Sequence, residues 1–191
     1  MTETAVSQGA IIILLILLVI AAVIDIQQHR IPNMLSLGGI ITGIALQGWV
    51  SGLSGIIAGG GGAAVGIAIF LPFYLAHGMG AGDVKLMGAA GAFLGPANAL
   101  LATGLSLATG GFMAIVILLA RGGLRDLLKR YWSTLKCFIY TGKIVYPPSA
   151  ATEVAAMKFP YAAAIGIGTV LTLWWVTGLQ GLTDFLSTLI R

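Results

Sequence analysis

The chain has 191 residues, of which 58% are hydrophobic and 8% charged, with a formal net charge of +4 and a mean hydropathy of +1.01. An average soluble domain carries roughly 25% charged residues. Ten Lys/Arg and six Asp/Glu cannot cover a globule of this size with polar surface. This composition excludes a soluble enzyme, a disordered tail and a nucleic-acid-binding domain. It leaves an all-α, polytopic membrane protein, read as a single membrane-embedded domain over 1–191. Cys137 is the lone cysteine, so neither an internal disulfide nor a CxxC zinc module can form.

Uncharged runs mark the spans. Thr4 to Ile24 is free of charge and Asp25 closes it. No Lys or Arg precedes that run and no small-residue cleavage site follows it, so a retained first span is expected. Between Arg30 and Asp83 lie 52 uncharged residues, too many for one crossing. Ser51-Gly52 and Ser54-Gly55 divide them into spans near Met34–Val50 and Gly55–Ala76. The second contains Gly59-Gly60-Gly61-Gly62, expected to form a smooth face for tight helix packing. Leu86 to Ala120 is again too long, and Gly95-Pro96-Ala97-Asn98 is the break. The break predicts a short segment, Val84–Leu94, seated in a protein-lined groove or extended back through the glycine-rich loop. A long segment, Ala97–Ala120, follows it. The last span is placed at about Phe159–Leu179, giving about six transmembrane segments.

Basic residues orient these spans. With the N-terminus outside, Arg30, Lys85, Arg121, Arg125, Lys129, Arg130, Lys136, Lys143 and Lys158 fall on one side and Arg191 alone on the other. Such asymmetry marks the cytoplasmic face. It puts both termini outside, and Asp25 and Asp83 together at the cytoplasmic face of a multi-pass protein. The basic stretch at about 121–158 has Leu124, Leu127, Leu128, Tyr131, Trp132, Leu135 and Phe138 at helical spacing. It reads as a cytoplasmic amphipathic helix lying on an anionic leaflet.

Of the six acids, Glu3, Asp126, Glu153 and Asp184 fall in tails or the basic loop. Asp25 and Asp83 adjoin hydrophobic spans, where a carboxylate is costly and faces a partner or a cavity. Asp25 opens the string Asp25-Ile26-Gln27-Gln28-His29-Arg30-Ile31-Pro32-Asn33. Pro32 biases Ile31 away from helical geometry, so the chain is expected to leave its first span at Asp25, turn, and re-enter at Met34. Asp83 sits in Gly80-Ala81-Gly82-Asp83-Val84-Lys85, where two glycines free the backbone beside the acid. They would let an extended peptide approach Asp83 closely. Lys85 could lower an acid's pKa or pair with lipid phosphate. His29 and His77 lie near the two acids, but their spacing matches no standard metal-ligand motif, and no metal is expected.

With these residues the sequence resembles the type IV prepilin peptidases, aspartic membrane proteases of the GxGD class. It is most similar to the short form that serves tight-adherence (Flp-type) pili. The resemblance covers essentially the whole chain. It rests on Asp25 with Arg30-Ile31-Pro32-Asn33, on Gly80-Ala81-Gly82-Asp83-Val84-Lys85, and on Phe159-Pro160-Tyr161-Ala162 before the last span. It implies that Asp25 and Asp83 are the catalytic pair. It implies that Gly80, Gly82, Lys85, Arg30, Pro32 and Asn33 shape the site or bind substrate. It further implies an inner-membrane endopeptidase without a cofactor, which cuts a prepilin leader after a glycine at the cytoplasmic face. Long members of the family carry a cysteine-rich insert and also N-methylate the product. Cys137 alone cannot build a four-cysteine zinc site, so that second activity is not implied.

Two carboxylates sharing a site cannot both ionise cheaply, so they share a proton and titrate as one unit. One can then activate water while the other polarises the scissile carbonyl. No Ser/His/Asp order and no HExxH string offers a rival mechanism. Two other readings use the same acids. In a small proton- or cation-coupled transporter they would bind the ion. In a non-enzymatic pilus or secretion assembly subunit they would be dispensable. The Tyr-Asp pair of presenilin-like proteases is absent, because Asp25 follows Ile24.

Overall fold

The computed structural model describes residues 8–76, 78–120, 132 and 161–189. The chain is an all-α membrane protein. Among the described residues the helices are α1 (Gln8–Gln28), α2 (Asn33–Leu75), α3 (Ala81–Ala120) and α4 (Tyr161–Leu189), each long and apolar enough to cross a membrane. The chain divides into two compact units, one of Met1–Gly110 with Pro160–Arg191, the other of Gly111–Phe159. Of the second unit, the described part is the end of α3 and Trp132. Apart from Trp132, the amphipathic helix expected at about 121–158 therefore lies outside the described residues, as does His77.

α1 is 21 residues long, about 31 Å at 1.5 Å per residue. Its buried side chains are Ala10, Leu14, Leu17, Leu18, Ala21 and Asp25. That spacing is one stripe of a helix. Ile12, Ile13, Ile16, Val19, Ile20 and Val23 cover the exposed face, as lipid contact requires. The stripe runs on into Asp25 because the helix does not stop there, contrary to the sequence expectation. It continues to Gln28, since nothing in Ile26-Gln27-Gln28 breaks a helix. His29 then closes it in the left-handed region, φ 50°, with its N–H donating to the Asp25 carbonyl at 2.8 Å.

Among the described residues the four helices are fewer than the six segments expected from sequence, because α2 and α3 each run through an expected boundary. Both boundaries survive as breaks within the helices. Gly52 (φ 61°, ψ −139°) interrupts α2, and Gly95 (φ 76°, ψ 170°), followed by Pro96, interrupts α3. Beyond Gly52 the chain doubles back on itself. A Cβ on Gly55 would strike the Gln47 carbonyl, and one on Gly59 would lie 3.1 Å from the Ile44 Cα. The same holds between the second half of α2 and the first part of α3. A Cβ on Gly62 would strike the Gly91 carbonyl, and one on Gly91 the Gly62 carbonyl. The tetraglycine run thus contributes backbone-to-backbone contact at Gly59 and Gly62, while Gly60 faces open space.

The break at Gly95 leaves carbonyls without helical partners, and in a bilayer each must find one. The Gln47 side-chain amide, itself buried, donates to the Phe93 carbonyl at 2.9 Å. The Asn98 amide donates to the Leu94 carbonyl at 3.2 Å. Residues 84–95 are almost entirely enclosed, with Leu86, Met87 and Phe93 at the centre of the core. This short segment sits within protein, as its length predicts, and it begins three residues earlier than expected, at Ala81. α1 packs on α4 and on α2. α4 also meets the 96–110 part of α3, where the Thr109 hydroxyl donates to the Ala164 carbonyl at 3.1 Å and Gly168 sits on Ser106.

Candidate functional site

Both acids singled out by the sequence are buried, Asp25 at 6% exposure and Asp83 at 8%. Asp25 occupies the last turn of α1, on the protein-facing stripe. Its Oδ2 accepts the backbone N–H of Ala162, at the second position of α4, at 3.2 Å. A carboxylate there meets an orphan N–H and the positive end of the helix dipole. Asp83 occupies the third position of α3, and its Oδ2 accepts the backbone N–H of Gly80 at 3.0 Å. The Asp83 N–H in turn donates to the Gly80 carbonyl at 3.2 Å. The side-chain bond is one half of a capping box, an acid three residues into the helix reaching back to the residue before it. Each acid is thus held at the N-terminus of a helix, one of a neighbour and one of its own. The two carboxylates lie within electrostatic range of each other.

The two glycines before Asp83 have separate roles. Gly80 presents its N–H to the carboxylate, and a Cβ there would lie 3.2 Å from Oδ2. Gly82 faces the α1–α2 connection, where a Cβ would lie 3.0 Å from the Ile31 Cβ. Ile31 is itself buried. Pro32, extended at φ −60° and ψ 133°, starts α2, and its carbonyl accepts the Leu35 N–H at 3.1 Å. Asn33 follows, and its Oδ1 accepts a hydrogen bond from Lys85 Nζ at 2.8 Å. The structure therefore brings Asp25, Asp83, Gly80, Gly82, Pro32, Asn33 and Lys85 to one end of three helices. Arg30 sits on the same connection with its side chain exposed.

Two neighbours carried no prior assignment. One is the Ala162 N–H. The other is Tyr161, whose hydroxyl lies within electrostatic range of Asp83 and whose ring meets Phe70 edge-on, with centroids 6.0 Å apart. The string Phe159-Pro160-Tyr161-Ala162 marks the place in the sequence. Nothing in it says that a main-chain N–H would meet an acid more than a hundred residues away. Among the described residues no three His, Cys, Asp or Glu cluster as a metal site would require.

In general, two carboxylates that hold a water between them can take a proton from it and return one to a leaving group. Comparison with known proteins bears on that chemistry. A family model described as the type IV leader peptidase family matches residues 12–115, more than half of the chain and both acids. No curated protein and no solved structure matches the chain.

Proposed function

This chain belongs to the type IV leader peptidase family, and from that premise we propose that it is an aspartic endopeptidase using Asp25 and Asp83. Membership makes it a protease whose substrate is a prepilin. The finer reading is that it cuts the leader of an Flp-like prepilin after a glycine, at the cytoplasmic face of the inner membrane. The observation that carries this reading is the pair of buried carboxylates within range of each other, each held at a helix N-terminus.

In this reading the two acids share one proton. The ionised member takes a proton from water, whose oxygen attacks the carbonyl carbon of the scissile peptide bond. The protonated member donates to the carbonyl oxygen. The tetrahedral intermediate collapses as its C–N bond breaks and the amine nitrogen takes a proton from the dyad. The products are a free carboxylate on the leader and a new N-terminus on the pilin. In the same reading each half of α2 and of α3 crosses the bilayer separately, for about six passes with both termini outside, and the breaks at Gly52 and Gly95 support that count. The distribution of Lys and Arg supports that orientation.

The test is cleavage of a prepilin by the purified protein in liposomes, with the product's N-terminus sequenced. Release of a pilin that begins directly after the leader's last glycine is the expected result. Intact prepilin across several Flp-type substrates would overturn the reading.

A further inference from the structure

The two acids belong to segments far apart in the chain, and a fixed distance between them requires something that ties those segments together. Asp25 lies in the last turn of α1, and the connection 29–32 leads from that helix to Asn33, the first residue of α2. Asp83 lies in the first turn of α3, two residues before Lys85. The α1–α2 connection and the first residue of α2 touch the start of α3 at two points. One is apolar, Gly82 against Ile31, where a Cβ at 82 would lie 3.0 Å from the Ile31 Cβ and crowd it. The other is the 2.8 Å hydrogen bond from Lys85 Nζ to Asn33 Oδ1, spanning 52 positions of sequence. A cationic donor on a neutral amide makes a charge-assisted bond without neutralising either aspartate.

We propose that Lys85 and Asn33 are a positioning pair: their hydrogen bond, with the Gly82–Ile31 contact beside it, locks the α1–α2 connection to the first turn of α3 and so sets the separation of Asp25 and Asp83. Lys85 acts here through Asn33 and not on the substrate. This deepens the proposed function and rests on it for the kinetic readout. Small displacements of reacting groups cost rate steeply, so loosening the joint lowers turnover before it lowers binding.

The test compares wild type with Lys85→Met, Asn33→Leu, the double variant and Asn33→Asp in the prepilin cleavage assay. Lys85→Met keeps the aliphatic stem, and Asn33→Asp keeps an acceptor for the ammonium. Each of the first two is expected to lower kcat roughly tenfold, with KM within about twofold. The double variant is expected to be no worse than either single one, because both remove the same bond. Asn33→Asp is expected to keep kcat within about threefold of wild type. Wild-type kinetics in either single variant, additive losses, or a change confined to KM would each overturn the proposal.

A second readout needs no activity. Acylation of Lys85 by a water-soluble amine reagent, followed by mass spectrometry, should run several-fold faster in Asn33→Leu than in wild type, relative to the other lysines. An unchanged rate would overturn the pairing. A faster rate in a protein that cleaves no prepilin would leave the joint standing and remove the peptidase reading.

Discussion

The break at Gly95 and the acid-bearing end of the molecule solve the same problem with opposite chemistry. At both, a helix end leaves backbone groups that have no partner within the helix. At the break the orphans are carbonyls, and the neutral amides of Gln47 and Asn98 donate to them. At the other end the orphans are N–H groups, and the carboxylates of Asp25 and Asp83 accept from them. An amide at a helix C-terminus can only hold. A carboxylate at a helix N-terminus holds and can also exchange a proton. The chemistry proposed here falls at the set of helix ends whose unpaired backbone groups are N–H donors.

Substitutions should separate these two regions. Asp25→Asn and Asp83→Asn each keep a polar acceptor of the same size, and prepilin cleavage is expected to fall by roughly a thousandfold or more while thermal stability changes little. Gly62→Leu should act in the reverse sense. It drives a side chain into the Gly91 carbonyl and is expected to cost more than the ~1–3 kcal/mol of ordinary overpacking, read as loss of folded protein in detergent. Gln47→Leu leaves the Phe93 carbonyl unpaired and is expected to cost about 1–3 kcal/mol of stability by thermal unfolding, with residual folded protein still cleaving substrate. The smallest effect belongs to His29. Its φ of 50° suits glycine better than histidine, so His29→Gly is expected to raise stability by about 0.5 kcal/mol in the same assay.

Much of this was legible in the sequence, for identifiable reasons. Asp25 and Asp83 stand out because charge is so scarce in this chain. Gly52 and Gly95 punctuate runs too long to cross once, and the backbone breaks at both. Other features left no trace. The buried stripe of α1 is invisible because its lipid face and its protein face are equally apolar, so periodicity marks neither. The extra turn from Asp25 to Gln28 has no mark in the sequence, because the end of an uncharged run is not the end of a helix. The sequence does not distinguish a break inside a continuous helical run, as at Gly52 and Gly95, from a helix end, because a glycine marks both. The Ala162 N–H belongs to the main chain and has no side-chain letter to read.

The central claim is that Asp25 and Asp83 work as one unit. The most direct test measures prepilin cleavage by Asp25→Asn, Asp83→Asn and the double variant, each reconstituted in liposomes and checked for folding. All three are expected to fall to the same residual rate, because groups that share one proton fail together. A single variant that retains substantial cleavage, or a double variant whose loss is the product of the two single losses, would contradict it.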